Sequence, residues 1–141
     1  YNYPELREEL IAAGYSFFSH GDTEVVLKAF HKWGEACVER FHGMFAFAIL
    51  ERDSGDVVLA RDRFGIKPLY IAETDKHIRF ASFLPALLKA GDIDTDIDPY
   101  ALHNYMSFHA VVPPPRTILK GVRKLPPATT RPSRTSSTDA R

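Results

Sequence analysis

Cysteine is almost missing from this chain of 141 residues, in which Cys37 is the only one. One thiol excludes an internal disulfide framework and a four-cysteine zinc site. No stretch approaches the ~18 consecutive apolar residues that a membrane span requires. No signal peptide opens the chain, so the expected compartment is the reducing cytoplasm. The histidines, His20, His31, His42, His77, His103 and His109, show no metal-ligand spacing such as H-E-x-x-H, and neither a Walker A loop nor G-x-G-x-x-G occurs. Neither a metal centre nor a phosphate cradle is expected in this segment. Net charge is missing too, because 18 basic residues balance 18 acidic ones.

What is present is an ordinary globular mixture, 45% hydrophobic, 12% aromatic and 26% charged. A chain of this length usually makes one domain and buries roughly 68% of its unfolded surface. The zero net charge conceals an asymmetry. From Pro113 onward there are seven basic residues and one acid, against eleven basic and seventeen acidic residues before it. A basic end can serve nucleic acid. Here the cations are interleaved with Pro, Thr and Ser and lack the aromatic residues on which bases stack. No nucleic-acid partner and no membrane partner are expected. The chain opens Tyr1-Asn2-Tyr3, without an initiator methionine, and reads as the interior of a longer sequence.

Periodicity organises the rest. Pro4 suits the first turn of a helix, Leu6, Leu10 and Ile11 follow at helical spacing, and Gly14 ends it. Tyr15 to Phe18 reads as a short strand. His20-Gly21-Asp22-Thr23 is a turn with two possible N-caps, Asp22 and Thr23. Val25, Val26, Ala29, Phe30 and Trp33 then mark one face of a helix stopped by Gly34, and a shorter helix runs from Glu35 to about Arg40. The apolar run Met44 to Leu50 predicts a strand buried on both faces. Turn residues at Asp53-Ser54-Gly55-Asp56 lead to a partner strand, Val57 to Ala60. Leu69 to Ala72 and Ile78 to Ala81 make two more around Glu73-Thr74-Asp75-Lys76. Four strands after two helices predict an α+β fold, an antiparallel sheet with helices on its face.

Beyond Ser82 the spacing is helical again at Leu84, Leu87 and Leu88. Asp92 to Asp98 reads as an acidic turn, and Asp98-Pro99 caps a helix carrying Ala101, Leu102, Tyr105 and Met106. Pro113-Pro114-Pro115 must be extended. From Thr129 the chain has almost nothing to bury, so residues 129–141 are expected to be a disordered basic tail.

Few residues announce chemistry. Cys37, between Ala36 and Val38, reads more readily as a buried structural thiol than as a nucleophile, which needs an adjacent base or a helix N-terminus. Asp22 lies in a glycine-containing turn that leads into a helix. It is either an N-cap or a carboxylate that pairs with a ligand ammonium. Arg61-Asp62-Arg63, with Gly65 and Lys67, is denser than a random loop and on spacing reads as an ion-pair network closing a hairpin.

Taken in order, these segments resemble the glutaminase domain of the class II glutamine amidotransferases, in particular the glutamine-hydrolysing asparagine synthetase family. Tyr1-Asn2-Tyr3 resembles the end of the family's N-G-E-I-Y-N-Y run, and Asp22-Thr23-Glu24-Val25 is similar to its S-D-T-E-V. Gly43-Met44-Phe45-Ala46-Phe47-Ala48 follows, then Arg61-Asp62-Arg63-Phe64-Gly65-Ile66-Lys67-Pro68-Leu69-Tyr70, the strongest of the five. Pro115-Arg116-Thr117-Ile118 and Lys120-Gly121-Val122-Arg123-Lys124-Leu125-Pro126-Pro127 resemble the connection toward a synthetase domain. Phe83 stands where asparagine synthetases carry Glu in F-x-S-E. With His103 to Pro113, this segment resembles the N-acetylglutaminylglutamine amidotransferases, so the implied acceptor is either an acylated glutamine dipeptide or aspartate.

The resemblance implies an N-terminal nucleophile hydrolase-type αββα sandwich, incomplete here, with antiparallel sheets and helices on the faces. Residues 1–112 would be the C-terminal part of the amidotransferase domain, and 113–128 the connection to a covalently linked synthetase domain using ATP and Mg2+. The nucleophile would be an N-terminal Cys, not Cys37, so no catalytic residue and no metal ligand is expected in the chain. Asp22 would hold the α-ammonium of glutamine, and Met44 and Ile66 would line the ammonia tunnel, with a plain core role as the alternative for both. A binding or regulatory module on the same scaffold is the rival reading.

Overall fold

The computed structural model describes residues 2–74 and 77–133. The chain divides into two compact units, one of Tyr1–Ala60 with the segment that starts at Thr130, the other of Arg61–Thr129. Helices and antiparallel sheets make the fold α+β.

In the first unit, α1 (Tyr3–Ala12) has Pro4 in its first turn and buries Leu6 and Leu10, one helical turn apart. Ile11, expected on the same face, is exposed. Helix α2 (Asp22–Trp33) buries Val25 and Ala29 and ends at Gly34, whose positive φ of 58° suits glycine. A 3-10 helix, Gly34–Arg40, carries Cys37 into the same core, which Phe41 closes. The rings of Phe41, Phe45 and Phe47 stack edge-on and tilted with centroids 5.5–6.2 Å apart.

The segment Tyr15 to Phe18 is not a strand. Side chains take the place of a partner strand. Glu24 accepts from the Phe18 and Ser19 amides, while Lys28 and Arg7 donate to the Ser16 and Ser19 carbonyls. Phe17 lies beneath both cations, with Arg7 4.4 Å and Lys28 4.2 Å from its ring centre.

The four anticipated strands exist as β1 (Ala46–Leu50), β2 (Val57–Arg61), β3 (Tyr70–Glu73) and β4 (Ile78–Ala81), but not as one sheet. One sheet has the order β1-β2-β6 and the other β4-β3-β5, where β5 is Arg123–Lys124 and β6 is Thr129–Ser133. Strand β1 is an edge strand with Ala48 and Leu50 exposed, not a strand buried on both faces. An apolar run cannot report which side of a sheet it will occupy.

Strand β6 corrects the expectation of disorder from Thr129: residues 129–133 are joined to β2 through main-chain groups, which need no apolar side chain. The remaining tail, 134–141, lies outside the described residues.

In the second unit Tyr70 pairs with Ala81 on one side and Lys124 on the other. Helices α3 (Leu84–Leu88) and α4 (Pro99–Ser107) follow. Asp98 caps α4 as expected, accepting from Tyr100 at 2.8 Å and Ala101 at 3.1 Å. The Ala101 amide, against a smaller opposing effect of burial, and then the Tyr100 amide and the nearby Arg116 and Lys120, hold its carboxyl below the usual range. The expected acidic turn is instead an extended arm. Asp94, Asp96 and Asp98 exchange main-chain bonds with Gly121, Lys120 and Ile118, and Asp96 pairs with Lys120. Opposing lysine charge and backbone pairing together straighten it. Residues 113–128, anticipated as a connection, contribute β5 and the buried Thr117, Val122 and Leu125.

Candidate functional site

The first unit carries a small cavity of about 70 Å³ whose wall includes Asn2, Tyr3, Asp22, His42 and Met44. Two residues singled out in the sequence, Asp22 and Met44, therefore share one site. Asp22 is the first residue of α2, but the N-cap is Gly21, and no side chain caps the helix. The capping alternative falls. Among the described residues its carboxylate has only a long contact with the Thr23 hydroxyl, 3.5 Å, and it stays exposed. A carboxylate at a helix N-terminus sits in the favourable field of the helix dipole, and this one is free to meet a cation from solution.

Two residues along, Glu24 behaves oppositely. It is buried and accepts from Lys28, the Ser19 hydroxyl and the Phe18 and Ser19 amides. Burial acts to raise its pKa. The Lys28 contact, the Ser19 hydroxyl and the two amides outweigh that and bring it down to about 2. Glu24 thus locks the loop that delivers the chain to Asp22.

Asn2 supplies a second anchor. Its Nδ2 donates to the Arg40 carbonyl at 2.9 Å, and its Oδ1 accepts from the His42 amide at 2.8 Å. This clamp fixes the run into Gly43 and Met44. Sequence reasoning quoted Asn2 and Tyr3 only as part of a family motif and gave His42 no role, and no local pattern announces the clamp, which joins residues 38 and 40 positions apart.

Cys37 is fully buried in the core of this unit. Burial pushes its thiol up to about 11, the reverse of what a nucleophile requires.

Ile66 belongs to the second unit, in the loop 61–67. The loop is built around two buried charges that bind peptide groups. Arg61 donates to the carbonyls of Lys67 at 2.8 Å, Gly65 at 2.6 Å and Leu125. Asp62 accepts from the amides of Phe64 at 3.1 Å, Ile66 at 3.0 Å and Lys67 at 3.0 Å. These are side-chain clamps on the main chain, a role that the spacing of the charges did not announce. Gly65 has a φ of +62°, and a Cβ there would lie 2.9 Å from Pro127 and 3.1 Å from the Arg61 guanidinium carbon. The tight loop turns Phe64 and Ile66 outward, 83% and 56% exposed, so the core alternative fails for Ile66. Met44 is half-buried at its cavity wall.

Among the described residues no group of three or more His, Cys, Asp or Glu side chains is placed to hold a metal ion. Among them, too, no helix is long and apolar enough to cross a membrane.

Comparison with known proteins gives the frame for this geometry. The glutamine amidotransferase domain family matches residues 1–140. The glutamine-hydrolyzing asparagine synthetase 1 of Bacillus subtilis (strain 168) is 44% identical over 127 residues, 90% of this chain and 20% of that protein. A putative glutamine-hydrolyzing asparagine synthetase of Mycobacterium bovis is 42% identical over 129 residues, covering 89% of this chain and 20% of its own length. A putative enzyme of the same description from Methanocaldococcus jannaschii is 35% identical over 127 residues, 89% of the chain and 24% of that protein. The chain spans about a fifth of the length of the first two relatives. With the family match running almost from end to end, the chain belongs to the glutamine amidotransferase domain family.

Proposed function

We propose that this chain is the glutamine-holding part of a glutamine-dependent amidotransferase with the N-terminal nucleophile hydrolase-type sandwich. In this reading a cysteine other than Cys37 attacks the amide carbon of glutamine, the C–N bond breaks, and ammonia leaves. Water then releases glutamate from the thioester. A covalently linked synthetase domain, using ATP and Mg2+, activates the carboxylate that ammonia attacks. This chain's residues bind and channel. Asp22 pairs with the α-ammonium and sets the register of the substrate. Met44 and Ile66 offer apolar surface with no group that retains ammonia.

The observation that carries the reading is the uncommitted Asp22 carboxylate on the cavity wall beside Met44. The segments Phe80 to Leu88, with Phe83 in place of Glu, and His103 to Pro113 favour an acylated glutamine dipeptide as acceptor, and the relatives' names as asparagine synthetases point to aspartate as the alternative. The test uses the chain joined to its synthetase domain. Asp22→Asn raises the glutamine KM by about tenfold or more, since losing a charge-assisted pair costs about 1.5–3 kcal/mol. Synthesis driven by free ammonia persists. Equal loss of both activities would make Asp22 a folding residue instead. The burial of Cys37 also fits a binding module without hydrolysis, and absence of glutamate release from the joined protein would select that second reading.

A further inference from the structure

The second unit holds a larger open cavity, about 490 Å³, in the range of small-molecule sites. Its walls are mostly apolar, with Phe64, Pro68, Val112 and Pro113 among them, and no Asp or Glu is among the described residues that line it. Two cations are: Arg61 and Lys124. Arg61 is 7% exposed and has three of its five donors on carbonyls. Lys124 is half-buried and spends one N–H on the Val112 carbonyl at 2.8 Å, leaving the others to the cavity. Among the described residues no carboxylate lies within 4.0 Å of either charge. The neighbouring Asp62 is turned to the amides of Phe64, Ile66 and Lys67.

Two like charges facing one half-buried apolar space are unfavourable without an anion. Burial, and then the Arg61 charge, pull the Lys124 ammonium below its usual pKa. The arrangement is held rigidly. The Lys124 main chain pairs with Tyr70 in β3 and donates to Pro115 at 2.7 Å.

We infer that this cavity is a binding site for a small organic carboxylate carried on an apolar or aromatic body. The carboxylate meets the free Lys124 donors beside the Arg61 charge, and the body covers Phe64 and the proline walls. A phosphate dianion suits it less, because an apolar wall removes more hydration from two charges than from one.

The test titrates the full 141-residue chain, isotope-labelled for NMR, with phenylacetate, neutral phenylacetamide and inorganic phosphate. Phenylacetate is expected to shift the amides of Tyr70, Val112 and Lys124 with saturation. Phenylacetamide and phosphate bind at least about tenfold more weakly, the range of one charge-assisted contact. Lys124→Met loses at least about tenfold in phenylacetate affinity, whereas Lys124→Arg keeps it. Should Lys124→Met fail to fold, the acid-against-amide comparison on the unaltered chain decides alone. Equal binding of phenylacetamide, equal binding of phosphate, or no saturable shift would each overturn the proposal.

Discussion

Asp22 and Glu24 share one turn of α2, and their surroundings give them opposite characters. Asp22 stays in water at the cavity wall, while Glu24 is buried among four donors that hold its pKa near 2. Because the folded value lies below the ordinary 4.5, the folded chain keeps this carboxylate charged at a pH where the unfolded chain takes up a proton. Its stabilising contribution is complete above the ordinary value and drains away as pH falls toward 2. Thermal midpoints measured between about pH 5 and about pH 2 should therefore fall more steeply for the unaltered chain than for Glu24→Gln. Parallel curves would show that the loop does not depend on this charge. Cys37 makes a second expectation. With its thiol buried and raised to about 11, labelling by an aromatic disulfide should be about a hundredfold slower in the native chain than in denaturant. The chain alone should release no glutamate from glutamine. Release that disappears in Cys37→Ala would make this thiol a nucleophile after all.

At the scale of elements, packing is decided by small residues where backbones cross. Gly121 lies against the arm 93–98, and a Cβ there would stand 2.5 Å from the Asp94 oxygen and 2.7 Å from its nitrogen. Both are main-chain atoms and cannot rotate away. Gly121→Ala should thus lower stability in urea unfolding by about 1–3 kcal/mol, and a neutral result would mean that the arm yields freely. The caps show the other side of local encoding. Asp98-Pro99 was legible as a helix start because cap and helix are neighbours in the chain. Tyr15 to Phe18 was misread because its partners are the side chains of Arg7, Glu24 and Lys28, which leave no period in the segment itself.

At the scale of the whole molecule, the division of the strands between two sheets governs what the C-terminal residues do. Strand β6 reaches β2 after a long excursion through β3, β4, β5 and two helices. A chain ending at Ala128 should lose that strand, with a lower thermal midpoint than the intact protein by differential scanning calorimetry. An unchanged midpoint would show that Thr129–Ser133 adds nothing to the sheet. The loop 61–67 has a similar reach, since Arg61 holds the Leu125 carbonyl 64 positions away.

Sequence alone determined whatever a few neighbouring residues decide among themselves. That covers the buried face of α2 and its stop at Gly34, the cap of α4, the hairpin turn before β2, and the ordered motifs that mark an amidotransferase. Tertiary structure alone decided which of those pieces meet. It put Asn2 against Arg40 and His42, and so placed Met44 in the cavity of Asp22. It brought Arg61 and Lys124 to one apolar space, and it paired Thr129–Ser133 with β2. Caps and periods arise from interactions within a turn or two, whereas these contacts join main-chain groups and charges dozens of residues apart, where no local pattern in the chain records the partner.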